Sequence, residues 1–252
     1  MLICAATGNA GKLKEIRRIL EAQGHTVKSQ QELGISLEPE ETGVTFEENA
    51  LIKAKAICEA SGLPTLADDS GLAVEALAGA PGVHSARYCG HHGDDEANND
   101  KLLAELAHVP EGERAAKFVS AVCFYLPGGQ HITFLGECPG RVIFERRGQN
   151  GFGYDPLFVP DYVGLAEGGM RRNAEGRTYA ELQANEKDAI SHRGNAMRAL
   201  DQNFEGFLKD AADPSLGLLA SSAGFTIIEV EDSLGFERNQ KFDGDKLTRQ
   251  IR

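Results

Sequence analysis

The sequence lacks long apolar runs, paired cysteines and an excess of basic residues, and each absence excludes a class of protein. No apolar run approaches the ~20 residues of a membrane-spanning helix, and the opening run MLICAA is interrupted by Gly8 and Asn9 too early for a signal peptide. The five cysteines are odd in number and form no C-x-x-C pair, which is typical of reduced thiols in a cytosol. We therefore expect a cytoplasmic protein that is not held together by disulfides.

Positive charge is also scarce. The chain has 26 Lys and Arg residues against 38 Asp and Glu residues, which gives a net charge of −12. Such a charge repels phosphate backbones at long range, so binding to extended nucleic acid or to a membrane surface is excluded. A phosphate group that this protein binds must be held by a local cluster of donors and cations.

Short apolar runs alternate with segments of helical periodicity, and no repeat or low-complexity segment interrupts them. The pattern predicts an α/β fold around one central mixed sheet. The predicted strands are residues 2–6, 65–67, 118–126, 131–136 and 140–145. The predicted helices are residues 13–24, 45–62, 94–107 and 178–200, the last with a weak break near residue 185.

The character of the chain changes near residue 205. Asp213-Pro214 and a Ser221-Ser222-Ala223-Gly224 run bracket a small apolar stretch, and Phe225 to Val230 forms one strand-like run before a charged end. We therefore predict that residues 1–204 form one domain. Residues 205–252 are then a C-terminal extension of unknown role, with disorder in part of it as one possibility.

The loop after the first predicted strand has the composition of a phosphate-binding loop. It reads Thr7-Gly8-Asn9-Ala10-Gly11-Lys12 and opens a helix, whose free backbone N–H groups and dipole favour an anion. Its two glycines let a polyphosphate approach the backbone, and its lysine adds a point charge. The loop is not a Walker P-loop, which would need Gly where Ala6 stands and Ser or Thr where Leu13 stands. The simpler alternative is a glycine turn with a solvated lysine.

Two acidic pairs provide oxygen ligands. Glu40-Glu41 precede the second predicted helix, and Asp68-Asp69 follow a predicted strand. Mg²⁺ prefers such carboxylates and bridges from them to substrate phosphates. Adjacent residues of an extended chain point to opposite faces, so one aspartate could bind metal while the other orients a water. Solvated acidic turns are the alternative for each pair taken alone.

Two further segments carry polar or aromatic groups that suit a base and a sugar. Lys187 and Ser191 are four residues apart, hence on one face of the predicted helix, and His192-Arg193 follow directly. The segment from Gly151 to Asp155 has glycines on both sides of Phe152, so a flat ring could approach it closely. A surface histidine and a tight hairpin turn are the respective alternatives.

Six blocks in the same order resemble the inosine/xanthosine triphosphate pyrophosphatase family. The blocks are T-G-N-A-G-K (7–12), F-E-E-N-A (46–50), A-D-D-S-G-L-A-V (67–74), G-A-P-G-V-H-S-A-R-Y (79–88), G-F-G-Y-D-P-L-F (151–158) and E-K-D-A-I-S-H-R-G (186–194). Any one block is weak evidence, whereas six in order over residues 2–200 are highly specific. The resemblance implies an elongated α/β body whose cleft lies between two lobes around a long mixed sheet.

The resemblance also implies an activity and a set of roles. The family cleaves ITP, dITP and XTP between the α and β phosphorus atoms with Mg²⁺, and works as a homodimer. Asp69 would be the proton acceptor and a metal ligand, helped by Asp68, with Glu41 or Glu40 as the other ligand. The substrate-binding residues implied are Thr7, Gly8, Asn9, Ala10, Gly11, Lys12, Lys53 and Ser70 for the phosphate side, and Phe152, Gly153, Tyr154, Asp155, Lys187, His192 and Arg193 for the base and sugar.

Two departures from the family pattern stand out. Residues 161–172 are longer than the family's short connection, and they either displace the last block or loop out of the fold. The family also lacks the extension from about residue 205. Two other functions stay open at this point, namely a nucleotide sensor without turnover and a pyrophosphatase for modified pyrimidine triphosphates.

Overall fold

The computed structural model describes residues 1–212 with their side chains and the backbone of residues 227–229. The strands are β1 Leu2–Ala6, β2 Thr26–Ser29, β3 Thr65–Val74, β4 Ala115–Tyr125, β5 His131–Val142, β6 Phe158–Pro160, β7 Tyr162–Gly164, β8 Met170–Arg172 and β9 Ile227–Glu229. The helices are α1 Ala10–Ala22, α2 Phe46–Ser61, α3 Asp95–Glu105, α4 Ala184–Asp188 and α5 His192–Ala212.

One mixed sheet forms the centre of the fold, in the order β2-β1-β3-β4-β5-β6. Strand β1 pairs in parallel with β2 and β3, whereas β3, β4, β5 and β6 pair antiparallel in succession. Strand β9 adds to the outer side of β5 in parallel. The predicted α/β class with a central mixed sheet is confirmed.

The sheet is covered on both faces, as the continuous apolar run in β4 predicts. Residues 118–125 of β4 are all buried. Val122 and Phe124 pack on one face with residues of α1 and α5, and Ala121 and Cys123 pack on the other face with residues of α2. Because successive side chains alternate, a strand buried on both faces needs apolar residues at nearly every position.

Local capping sets where the first two helices begin. The side chain of Asn9 accepts a hydrogen bond from the backbone N–H of Lys12 at 2.9 Å and so starts α1. Thr45 and Glu48 form the predicted capping box of α2, which ends at Gly62 with φ +65°. The loop that contains Asn9 is therefore held rigidly at the end of β1.

Three predicted boundaries are wrong. Strand β3 runs on to Val74, so Asp68 and Asp69 lie inside a strand and not at its end. They lie just past Ala67, where the pairing with β1 stops. Strand β5 is one strand through Pro139, since proline is tolerated at this edge between the stretches that pair with β9 and β6.

The predicted helix over 178–200 is also divided. The Thr178 capping box opens only a short 3₁₀ turn, after which α4 and α5 follow as separate helices. Ser191 starts α5, because its hydroxyl accepts a hydrogen bond from the N–H of Gly194 at 3.1 Å. Lys187 and Ser191 consequently do not share the face of one continuous helix.

The unusual segment 161–172 loops out as an antiparallel hairpin of β7 and β8, apart from the central sheet. Strand β7 packs against α4, where Gly164 lies close to the backbone of Glu186. The hairpin thus leaves the last sequence block in contact with the body.

Helix α5 runs across the predicted boundary between residues 204 and 205 as far as Ala212, and Phe207 and Leu208 pack on the apolar cluster beneath it. Within the predicted strand from Phe225 to Val230, the backbone of Ile227–Glu229 pairs with β5, and the remainder lies outside the described residues. The division into a domain and an extension stays a prediction. Among the described helices, none has the length and apolarity to cross a membrane.

Candidate active site

A cavity of about 710 Å³ opens where β1 ends and β3 continues. It is wide enough for a nucleotide, since small-molecule sites typically measure about 300–1,000 Å³. Of the residues singled out in the sequence, the cavity is lined by Thr7, Gly8, Asn9, Lys12, Glu40, Glu41, Lys53, Asp68, Asp69, Ser70, Phe152, Gly153, Tyr154, Asp155, Lys187, His192 and Arg193.

Ala10 and Gly11 do not line the cavity, although they belong to the predicted phosphate loop. A side chain on Gly11 would overlap the ring of Phe152. The glycine therefore makes room for that ring, and the expectation that it lets a polyphosphate approach has no support in this geometry.

Asp68 is the centre of a buried ion-pair network. One carboxylate oxygen accepts from Lys12 Nζ at 2.8 Å and from Arg193 Nη2 at 3.0 Å, and the other accepts from Arg193 Nε at 3.1 Å and from the hydroxyl of Ser120. Burial alone would raise the pKa of Asp68, but Arg193 and Lys12 lower it well below its usual range. Both oxygens are engaged, so Asp68 organises the site and is a poor proton acceptor.

Asp69 points to the other face of β3, as the alternation predicts, and meets α2. Its Oδ1 accepts from Lys53 Nζ at 3.1 Å, whereas its buried Oδ2 has no hydrogen-bond partner among the described residues. Burial raises the pKa of Asp69 above its ordinary value, in spite of Lys53 and Lys12 nearby. A carboxylate with a raised pKa and a free oxygen suits proton transfer.

Glu41 converges on the same ammonium group. Its Oε1 lies 2.9 Å from Lys53 Nζ, and its Oε2 accepts from Arg87 Nη1 at 3.3 Å. Glu40 is exposed on the same loop, so Glu41 is the better placed of the two glutamates.

The carboxylates of Glu41 and Asp69 provide some of the oxygen ligands that a hard cation prefers, but not a full set. Glu41 and Asp69 share one positive partner, and the free Oδ2 of Asp69 is an orphaned oxygen that a cation would satisfy. Within residues 1–212, however, no three or more His, Cys, Asp or Glu side chains are grouped for a metal. Two carboxylates suit Mg²⁺, which keeps several waters and bridges to phosphate, and do not suit a fully protein-ligated structural ion.

A second buried network holds Lys187 and Arg193 together through Glu15. Lys187 Nζ lies 3.0 Å from Glu15 Oε1 and 2.6 Å from Asp155 Oδ2, and Arg193 Nη1 donates to the other Glu15 oxygen. Burial would raise the pKa of Glu15, but Arg193 and Lys187 lower it to about 2. The two cations therefore stay charged and fixed, although they sit on separate helices.

His192 is the first residue of α5 and is buried in a stack of rings. Its ring lies 4.7 Å from that of Phe118 with an interplanar angle of 11°, and its Nδ1 has no partner among the described residues. Burial lowers the pKa of His192 well below its usual value, and Arg193 and Lys187 act in the same direction. His192 is thus neutral at pH 7 and offers one free ring nitrogen at the cavity wall.

The glycine-rich turn of residues 151–155 leaves the ring of Phe152 partly exposed and buries the ring of Tyr154. Asp155 closes the turn by accepting from the N–H of Phe152 at 3.0 Å. Phe152 is half-buried, with Lys187 Nζ 5.1 Å from its ring centroid. Tyr154 is 4% exposed and donates its hydroxyl to Ser85, so of the two aromatic residues Phe152 is the one that can stack on a ligand.

Sequence reasoning missed Glu15, Arg87, Phe118 and Ser120 as parts of this site. Glu15 reads as an ordinary polar residue of an amphipathic helix, because its partners lie 172 and 178 residues further along the chain. Ser120 and Phe118 sit in an apolar run that predicts only a buried strand. Arg87 lies in the block of residues 79–88 that resembles the family, and this position was the one signal in the sequence that could have identified it as a site residue.

Relatives with a named activity match this chain over nearly their whole length. A dITP/XTP pyrophosphatase of Haemophilus influenzae is 50% identical over 204 residues, which cover 79% of this chain and 96% of the relative. The enzyme of the same name from Bacillus subtilis is 44% identical over 200 residues, covering 79% and 95%.

Solved structures show the same fold. The Ham1 protein of Staphylococcus aureus superposes with a TM-score of 0.68 at 37% identity, covering 82% of this chain and 99% of that one. A nucleoside-triphosphatase, also titled dITP/XTP pyrophosphatase, from Mycobacterium abscessus superposes with a TM-score of 0.61 at 46% identity, covering 79% and 98%. The Ham1 family model matches residues 3–203, which confirms the resemblance in the sequence. With its sequence blocks gathered around one cavity, this chain belongs to the Ham1 family.

Proposed function

We propose that this protein hydrolyses non-standard purine nucleoside triphosphates, namely ITP, dITP and XTP, to the monophosphate and pyrophosphate. The relatives that carry the name dITP/XTP pyrophosphatase match it over nearly their whole length. The observation that supports the proposal most directly is an arrangement of charged side chains in the cavity. Two carboxylates, Glu41 and Asp69, converge on Lys53 beside a loop that ends in Lys12, and the second oxygen of Asp69 is buried and free.

The triphosphate binds between the loop of residues 7–12 and helix α2. Thr7, Gly8 and Asn9 line the cavity next to the start of α1, where free N–H groups favour an anion. Lys12 and Lys53 supply positive charge side by side, since both ammonium groups donate to the backbone carbonyl of Asp68, at 3.5 and 3.0 Å. Arg87, half-buried beside Glu41, is a third cation within reach of the phosphate chain.

Glu41 and Asp69 hold Mg²⁺ in this proposal. When bound, the ion neutralises phosphate charge and lowers the barrier to attack at phosphorus. The chain's own residues then supply the rest. Lys53 releases part of its interaction with the carboxylates and binds phosphate oxygens, and Asp69 aligns a water.

Asp69 acts as the general base. The water oxygen forms a bond to a phosphorus of the α–β bridge as the bond from that phosphorus to the bridging oxygen breaks, and the water's proton passes to Asp69. Its Oδ2, which accepts no hydrogen bond from the described residues, is the oxygen that takes this proton. Asp68, which is saturated by Lys12, Arg193 and two serines, holds this arrangement rigid.

His192 and Phe152 recognise the base. Inosine and xanthine carry an oxygen at the 6-position, whereas adenine carries an amino group there. A buried donor left unpaired by adenine costs about 1–3 kcal/mol, so one or two donors select 6-oxo purines strongly. The free nitrogen of His192 and the remaining N–H of Arg193 are the candidate donors, and the ring of Phe152 stacks on the base.

A panel of triphosphates tests the proposal directly. Purified protein with Mg²⁺ should release pyrophosphate from ITP, dITP and XTP much faster than from ATP. Binding of ITP without release would indicate a nucleotide sensor. A higher rate with a 5-substituted dUTP would indicate a pyrimidine enzyme.

The neighbouring aspartates give a matched pair of variants. Asp69→Asn should lower kcat for ITP by about 10²–10⁴-fold, because it removes the base, and should lower the melting temperature less than Asp68→Asn does, since Lys53 keeps Glu41 as a counter-charge. Asp68→Asn should lower the melting temperature, since Arg193 and Lys12 lose their buried counter-charge. Full turnover by Asp69→Asn would refute the assignment of the base.

A homodimer and a cytoplasmic location stay predictions that sedimentation and fractionation can test.

A further inference from the structure

A row of small residues crosses the sheet beneath the first turn of α5. Ser70 of β3, Ser120 of β4 and Gly136 of β5 are register partners in adjacent strands. The hydroxyl of Ser70 accepts from Arg193 Nη2 at 2.9 Å, and both serine hydroxyls donate to Asp68. The serines thus fix the side chain of Arg193. The third residue of the row, Gly136, carries no side chain.

Gly136 lets the helix backbone approach the sheet. A methyl group at this position would overlap the carbonyl oxygen of His192 and lie 2.5 Å from the backbone nitrogen of Ala196. These are main-chain atoms, so a side chain could not be accommodated by a rotamer change, and the whole first turn of α5 would have to move. The amide of Asn195 adds a tie to the same strand by donating to the carbonyl of Glu137 at 2.7 Å.

The first turn carries the residues that face the base. His192 and Arg193 open α5, both are almost fully buried, and both line the cavity. We propose that Gly136 is a positioning residue for base recognition, which sets the height of α5 above β5 and thereby the position of His192 and Arg193. This inference rests on the proposed function, in which these two residues select 6-oxo purines.

The test compares two glycines of the same strand. Gly136→Ala forces α5 away from β5, whereas a methyl group at Gly140 would overlap the carbonyl oxygen of Val159 in β6 and lie 2.9 Å from the Cα of Pro160, away from α5. Both variants crowd backbone against β5, so both should lower the melting temperature. Gly136→Ala alone should lower the ratio of kcat/KM for ITP over ATP, by about tenfold, mainly through a higher KM for ITP.

Binding of the monophosphate gives a readout that does not need turnover. Calorimetry should show that the wild type and Gly140→Ala prefer IMP to AMP, and that Gly136→Ala has lost most of this preference. If the wild type binds IMP selectively but releases no pyrophosphate, the proposed hydrolase function fails and this inference does not. If the wild type has no preference for IMP, the inference fails.

A milder variant decides the case in which Gly136→Ala does not fold. Asn195→Ala removes the tie from α5 to Glu137 at a partly exposed position, together with a long hydrogen bond to the carbonyl of Ile190 and one from Arg198. It should reduce the preference for IMP over AMP by about two- to threefold, with kcat for ITP little changed. An unchanged preference in Asn195→Ala, or in a folded Gly136→Ala, would overturn the proposal.

Discussion

At the scale of single residues, two neighbouring carboxylates have different chemistry because they face different partners. Asp68 meets Arg193 and Lys12 in a fully buried network, which lowers its pKa. Asp69 meets only Lys53 at one oxygen, and burial dominates and raises its pKa. The sequence pair Asp-Asp predicts two acids on opposite faces, and the partners on each face leave one carboxylate saturated and the other with a free oxygen.

Lys12 should act mainly in binding. Lys12→Ala removes a cation that attracts the triphosphate in the ground state and the transition state alike, so KM for ITP should rise more than kcat falls. Steady-state kinetics of ITP hydrolysis measure both. Lys14→Ala is the control, because Lys14 is exposed on the same helix and its substitution removes the same charge. Equal effects of Lys12→Ala on the two parameters would contradict a binding role.

Glu15 should make the fold sensitive to acid. Its pKa is about 2 in the folded protein and near 4.5 in an unfolded chain. Because the unfolded chain binds the proton first, the stabilisation is complete above about pH 5 and is lost as the pH falls towards 2. Urea titrations across this range should show the free energy of unfolding falling by up to about 3 kcal/mol from this group. Glu15→Gln should flatten that slope, and an equally steep slope in the variant would exclude Glu15 as the cause.

At the scale of elements, local signals determine where some helices and strands end, and tertiary contacts determine where others end. Thr45 with Glu48 and Gly62 set the ends of α2 through contacts within a few residues, and these predicted ends are confirmed. The length of β3 and the continuity of β5 depend instead on their long pairing with β4. Ten and eleven register pairs carry the two strands past their predicted ends, since each ladder bond satisfies backbone groups that would otherwise be buried unpaired.

Truncation tests where the domain ends. A chain ending at residue 212 keeps all of α5 and loses β9, which pairs with only three residues of β5, so ITP turnover should be retained. A chain ending at residue 203 also loses Phe204 and Phe207, which pack against Phe124 with centroid distances of 5.0 and 6.3 Å. Its free energy of unfolding should fall by about 3 kcal/mol or more.

Thermal melting and pyrophosphate release would measure both truncated chains. Loss of turnover or precipitation of the longer one would contradict the expectation, and would indicate that β9 protects the edge of β5. Equal melting temperatures for the two chains would exclude a contribution of the last turns of α5 to the core.

At the scale of the whole molecule, the site is a meeting point of distant segments around the end of β1. Residues near positions 10, 40, 70, 120, 155 and 190 contribute to one cavity. The chain has a net charge of −12, yet five cations meet at this cavity: Lys12, Lys53, Arg87, Lys187 and Arg193. Each of them is paired with a carboxylate there, so the fold holds the cations in fixed positions without making the cavity positive overall.

Chelation should separate activity from folding. Excess EDTA should abolish pyrophosphate release from ITP and shift the melting temperature by no more than about 2 °C, because two carboxylates and no larger cluster in residues 1–212 serve a metal. Differential scanning calorimetry with and without Mg²⁺ would measure the shift. A large drop in melting temperature would indicate a structural metal, and full activity in EDTA would refute a metal-dependent reaction.

The sequence by itself determined the fold class, the first helices and their caps, and the residues that gather at the cavity, because periodicity, capping and six ordered blocks are local patterns. Only the tertiary structure decided the role of Glu15, the orphaned oxygen of Asp69, the place of Gly11 under Phe152 and the approach of α5 to Gly136. Burial and pairing set these properties, and they arise between residues that lie up to 178 positions apart in the chain.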